Sequence, residues 1–160
     1  MPPDERRGVT YYQHSLSQHL MRVWRVWEKG MAEELTVDEV IRYHIEIILA
    51  CDRKEDRGLE GRVLNPGNLN FTVTFSNNFS DPFERAAFVL HSIVTGHPFV
   101  QGNKRLAFLL AALILLRTPE RYLIVSSAEE NNRFVRAVAE GKMTQEDVRV
   151  WLRSVAKEGQ

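Results

Sequence analysis

One cysteine in 160 residues excludes an internal disulfide. No metal-ligand spacing surrounds Cys51, so it reads as a core residue near a helix end in a reducing compartment. Long apolar runs are missing too. The longest, Leu106 to Leu116, has 11 residues, short of the ~20 that spanning a bilayer requires. There is no excess of charge of either sign: Lys plus Arg and Asp plus Glu number 21 each, and no five like charges stand together. That excludes a general nucleic-acid or membrane-surface binder. Met1-Pro-Pro-Asp-Glu leads into polar sequence rather than an apolar h-region, so no signal peptide and a cytoplasmic location are expected. What is abundant is apolar residues, 44% of the chain, enough for one domain with a real core.

Helical signals dominate. Residues 1–13 read as a loose tail. From His14 to Lys29, Leu16, Leu20, Val23, Trp24 and Trp27 recur at helical spacing, and Gly30 ends the segment. His14 and His19 fall on different faces of that helix, which argues against a metal pair. Thr36-Val-Asp-Glu39 is a capping box ahead of Val40, Ile41, His44, Ile45, Ile48 and Leu49. His44, on the apolar side, reads as a hydrogen-bonded core histidine rather than a ligand. Gly58, Gly61 and Asn65-Pro66-Gly67 mark turns. Leu69, Phe71, Val73 and Phe75 then alternate with polar residues, which predicts a strand over 69–75; a second short one is expected at Tyr122 to Val125. Asp81-Pro82-Phe83-Glu84 opens a helix to about Thr95, with Gly96 as its left-handed terminator. Further helices are expected from the polar loop to about Arg117, from Ser127 to Gly141, and from Thr144 onward. The fold class is mainly α: a helical bundle with a small β excursion.

The chemistry concentrates in 95–105, Thr-Gly-His-Pro-Phe-Val-Gln-Gly-Asn-Lys-Arg. Pro98 disfavours helix at His97, so the preceding helix must stop and re-aim the imidazole. Phe99 is the apolar anchor of the loop. Gly102 lets the backbone approach a ligand closely and can aim its N–H at an anion. Asn103, Lys104 and Arg105 crowd donors at the next helix start, where cations are disfavoured unless an anion offsets them. A phosphate held there, with a neutral imidazole alongside as general base, accounts for all of these choices. A surface loop with a capping histidine is the alternative from the residues alone.

His97-Pro98-Phe99-Val100-Gln101-Gly102-Asn103-Lys104-Arg105 resembles the signature of the Fic/Doc (Fido) family, H-P-F-x-[D/E/N]-[G/A]-N-[K/G]-R, at eight of nine positions. The stretches from Thr36 onward, Asp81 to Ala87 and Ala137 to Gly141 resemble its Doc branch, over roughly residues 32–157. The chain then divides into the tail (1–13), a helix outside the resemblance (14–30) and a Fic/Doc domain (31–160). The resemblance implies a Fido helical bundle with a small β-hairpin flap. It implies that His97 deprotonates a hydroxyl of a target protein, that Gly102 forms the anion hole, and that Asn103, Lys104 and Arg105 hold the phosphates of ATP. Pro98 and Phe99 would shape the motif. Leu69, Asn70, Phe71, Thr72 and Val73 would belong to the flap on which a target segment pairs.

Lys104 stands where AMP-transferring members commonly have Gly, and Doc has Lys. The resemblance therefore implies phosphoryl transfer to a protein such as a translation factor, by the toxin of a toxin–antitoxin pair. The alternatives are AMP transfer and a catalytically silent binding module. Gln101 departs from the pattern, standing where an acidic residue or Asn helps hold Mg²⁺, and it offers only a neutral carbonyl. Either activity is reduced, or phosphates and waters hold the metal, or the loop serves binding alone. Ser126 to Asn131 matches the [S/T]-x-x-x-E-[G/N] pattern of self-inhibiting members. Ser127 is already explained as a helix cap, so the match reads as coincidence and a separate antitoxin is expected. Neither nucleic acid nor membrane is expected as a partner.

Overall fold

A computed structural model of the chain describes residues 34–51 and 53–159; the expected tail and the helix at 14–30 lie outside them. Among the described residues there are six α-helices and one two-stranded sheet. The helices are α1 (Val37–Cys51), α2 (Pro66–Ser76), α3 (Pro82–Gly96), α4 (Asn103–Leu116), α5 (Ala128–Ala139) and α6 (Gln145–Val155). The strands, β1 (Leu123–Ile124) and β2 (Ala156–Lys157), pair antiparallel with Leu123 opposite Lys157.

Local chemistry starts most of these helices. Asp81 accepts hydrogen bonds from the Phe83 and Glu84 amides, with Pro82 in the first turn. Ser127 caps α5 through the Glu130 N–H. Thr144 and Asp147 form a reciprocal capping box at α6. Each such cap contributes about 1 kcal/mol. The core is built on α3 against α4. In α4 every residue from Leu109 to Leu116 is buried, so this helix is apolar all round because neighbours cover it on all sides. No helix among the described residues is long and apolar enough to cross a membrane.

The strand expected at 69–75 is instead helix α2, and with it the β-hairpin flap at Leu69, Asn70, Phe71, Thr72 and Val73 is corrected. Asn65, a turn signal in the sequence, is an N-cap whose side chain accepts from the Asn68 N–H, and Pro66 occupies the first turn. The buried positions are Leu69, Thr72, Val73 and Ser76, a helical stripe half made of hydroxyl residues. Thr72 bonds Ser92 on α3 across the interface, while Phe71 and Phe75 stay largely exposed. Apolar alternation arose because two phenylalanines point outward and two polar residues point inward. The small sheet lies at β1 and β2. β1 falls within the strand expected at 122–125, whereas β2 was not anticipated.

Candidate active site

Helix α3 delivers His97 and helix α4 begins at Asn103, so the loop 97–102 joins the two central helices. The left-handed residue closing α3 is His97 itself, at φ 47°, not Gly96. Gly96 is small for another reason: a Cβ there would stand 2.1 Å from Asn68 Nδ2, so α2 packs directly on its backbone. A left-handed non-glycine costs about 1–2 kcal/mol and persists only where its surroundings over-determine it.

They do so here. The Pro98 carbonyl accepts from the Leu64 and Asn65 amides at 2.8 and 3.1 Å, and the Val100 N–H donates to Arg62 O. Phe99 is fully buried and its backbone is held at both ends by the Asn103 side chain: its N–H donates to Oδ1 and its carbonyl accepts from Nδ2. The Phe99 ring stacks on His44, centroids 3.9 Å apart.

His44 is the hydrogen-bonded core histidine expected. Its Nδ1 accepts from the Gly61 N–H at 2.9 Å, and its Nε2 is 2.6 Å from the Gln101 carbonyl. These partners fix a neutral ring, with Nε2–H donating. Burial, assisted by the nearby Arg105 charge, pushes its pKa below the ordinary histidine value, against the opposing Gln101 bond and Asp56. One imidazole thus ties the 58–61 turn to the motif loop.

Gly102, at φ 80°, is the N-cap of α4 and makes no side-chain cap. A Cβ there would sit 2.8 Å from Ile48 Cδ1, so both conformation and space require glycine. The first turn of α4, whose amides have no intrahelical acceptor, borders a cavity of about 590 Å³. His97, Gln101, Gly102, Asn103, Lys104 and Arg105 line it from the motif, and Arg53 and Arg136 from outside. His97 and Lys104 are exposed. Arg105 is not free: Nη1 lies 2.9 Å from Asp56 Oδ2, a carboxylate only 1% exposed. Part of the positive charge at this helix start is therefore offset within the protein. Asn103's amide is engaged by Phe99, which makes it a clamp of the loop in this structure.

Sequence reasoning brought the motif residues together but missed Asp56, Arg53 and Arg136. Asp56 sits on a single 3-10 turn, Lys54–Asp56, in a stretch without periodicity. Arg136 is one of many exposed cations. Glu130, the acid of the inhibitory-looking pattern, is exposed and is not among the residues lining the cavity. Ser126 instead bonds Asn131 at 2.6 Å.

The resemblance implies Mg²⁺. Among the described residues the cavity lining holds no carboxylate, its polar side chains being amides, cations and the His97 imidazole, and no group of three acidic, His or Cys residues is placed to hold a metal. A Mg²⁺ ion favours charged oxygen ligands, so this donor set fits it poorly and no step is derived through it.

A helical bundle whose two central helices are joined by a braced loop with left-handed residues at both ends, one of them an exposed histidine, defines a Fido-type fold. The Fic/DOC family model matches residues 34–115, about half of the chain, and the chain belongs to that family. It is 28% identical over 143 residues to protein adenylyltransferase fic-1 of Caenorhabditis elegans, covering 78% of this chain and 27% of that protein. The chain thus spans about a quarter of that relative's length. Among solved structures it superposes on a segment of Caenorhabditis elegans Fic-1 with a TM-score of 0.60 at 24% identity, over 77% of this chain and 40% of that one. A single-substitution variant of that segment gives the same score and identity over 80% and 42%. These likenesses carry the fold.

Proposed function

We propose that this domain transfers the AMP group of ATP to a hydroxyl side chain of a target protein. The observation that carries the reading is the convergence of His97, the α4 amides behind Gly102 and the cations Arg53, Lys104, Arg105 and Arg136 on one cavity. The hydroxyl oxygen attacks the α-phosphorus, its proton passes to His97, and pyrophosphate leaves. The amides and cations stabilise the charge that develops on the phosphoryl oxygens. The adenylyltransferase name of the fic-1 relative supports AMP as the group moved.

Lys104 favours a second reading, the Doc-like one. A long cation after Asn103 attracts terminal phosphates, and the phosphate held nearest the hydroxyl is the one transferred. In that case the γ-phosphoryl group moves and ADP leaves. The docking edge shifts from the flap at 69–73 to Arg62–Asn65. That segment lies hydrogen-bonded along the motif loop, with Val63 bridging Phe99 and Leu64 61% exposed. A target strand can add along such an edge. The toxin role, the antitoxin and a translation-factor target remain expectations of the resemblance.

Labelled ATP separates the readings. Label entering protein from the α position supports AMP transfer, and label from the γ position alone supports the Doc-like reading. Binding of ATP with no transfer leaves a silent module. In either enzyme His97→Ala lowers transfer by at least ~10²-fold with little change in melting temperature. A variant that keeps its activity removes His97 from the base role.

A further inference from the structure

We infer that Asp56 is a positioning residue, which holds the Arg105 guanidinium against the anion loop; the inference rests on the nucleotide reading above. Asp56 is 1% exposed and its Oδ2 lies 2.9 Å from Arg105 Nη1. The pair is close, yet neither Asp56 oxygen meets the geometry of a hydrogen bond with a partner among the described residues. A buried ion pair of that kind is weak support for stability, since desolvating both charges offsets most of their attraction. Its geometry suggests a different use.

Arg105 lies in the first turn of α4 and faces two ways. Nη1 is turned inward onto Asp56, while Nη2 lies 3.6 Å from the point where a Cβ on Gly102 would stand. The guanidinium therefore spans the gap between a buried carboxylate and the anion loop. Its side chain is 19% exposed, and the residue lines the cavity. An untethered arginine samples many rotamers, and part of that freedom is lost each time it closes on a phosphate. Asp56 removes that freedom beforehand. The same carboxylate offsets a cation at a helix N-terminus, where the macrodipole opposes it, and so lets the loop keep its form with no anion bound.

The two roles of Asp56 predict opposite signs, which makes the test sharp. As a charge near an anion site it weakens anion binding, so neutralising it would tighten binding. As a positioning residue it strengthens binding through Arg105, so Asp56→Asn should weaken it. ATP binding is measured by titration calorimetry at fixed ionic strength on wild type, Asp56→Asn, Arg105→Ala and the double variant, with melting temperatures recorded for each. Expected are a loss of about tenfold for Arg105→Ala, a loss of three- to tenfold for Asp56→Asn, and no further loss when Asp56→Asn is added to Arg105→Ala. Equal or tighter binding by Asp56→Asn overturns the inference. So does an Asp56→Asn loss that persists in full on the Arg105→Ala background, because the residue then does not act through Arg105. Wild type that binds no ATP removes the nucleotide reading itself, and this inference with it. If Asp56→Asn does not fold, Asp56→Glu carries the test. It keeps the charge and displaces the carboxylate by one methylene, so weakened binding supports positioning and unchanged binding overturns it.

Discussion

The two walls of the cavity are built differently. On the motif wall the loop backbone and two of the side chains are committed. Asn103 clamps Phe99, Arg105 pairs with Asp56, and the loop carbonyls of Pro98 and Gln101 accept from Leu64, Asn65 and His44. What remains for a ligand is backbone N–H at a helix start and the exposed side chains of His97, Gln101 and Lys104. On the facing wall, α5 offers the side chains of Asn132 and Arg136, both exposed, from a helix held by its cap and by the Ser126–Asn131 bond. The first wall is braced through its backbone, and on the proposed reading that backbone is the binding group, so displacing it displaces the ligand's partners. The second can vary residue by residue without disturbing the loop.

Gly102→Ala should break the motif wall with the largest effect. A Cβ there meets Ile48 Cδ1 at 2.8 Å while φ is 80°. Left-handed strain of about 1–2 kcal/mol adds to overpacking of about 1–3 kcal/mol. Gly58→Ala is the control, with φ 76° and nothing within 4 Å of the added Cβ, so it bears the strain alone. Urea unfolding should therefore place Gly102→Ala below Gly58→Ala by roughly 1–3 kcal/mol, and only the former should lose ATP binding. Equal losses would mean that the space behind Gly102 can yield.

The contrast between the walls also explains what could be read from sequence. The motif wall was legible because its constraints are local: Pro98 redirects His97, Gly102 must be glycine, and Phe99 must be buried. The capping residues Thr36, Asp81, Ser127 and Thr144 announced their helices by equally local chemistry. Helix α2 was misread because tertiary contacts decided it. Thr72 and Ser76 turn inward to partners on α3 and on their own helix, which no pattern of apolar residues records. Asp56 could not be found from spacing, since its partner is 49 positions away in a stretch of turns. The left-handed position was misplaced by one residue. Glycine's conformational freedom was the obvious reason for Gly96, and the close approach of Asn68 was the actual one.

On the facing wall, effects should be graded and local. Arg136→Ala removes an exposed cation from the cavity lining and should weaken ATP binding three- to tenfold, the range of a partly solvated charge-assisted contact. Exposed substitutions of this kind change stability by less than about 0.5 kcal/mol, so the melting temperature should stay level. Asn132→Ala should do less on both counts. A large fall in melting temperature for Arg136→Ala would show that α5 is braced as tightly as the loop, and the contrast between the walls would fail.

The smallest effect is a pH dependence confined to the motif wall. His44 is buried and neutral, with Nδ1 accepting from Gly61 and Nε2–H donating to Gln101. Protonation would set an N–H against the Gly61 N–H and place a charge in the core. The groups facing the ring act in both directions: burial and Arg105 lower its pKa, and the Gln101 bond and Asp56 raise it, with a net lowering. The unfolded chain therefore takes up the proton first, near pH 6.5. Below that pH the unfolded state holds more protons than the folded one, so stability is fully present above about pH 6.5 and declines as the pH falls. The decline, at most about 1.4 kcal/mol per pH unit, continues until the folded ring also protonates. Urea midpoints at pH 7.5 and 5.5 measure it in wild type and in His44→Gln, where the other histidines are common to both and cancel. Wild type should lose more stability than the variant over this interval, although the variant starts lower. Equal losses would mean that His44 does not titrate differently on folding, and the brace on the motif loop would then be insensitive to pH.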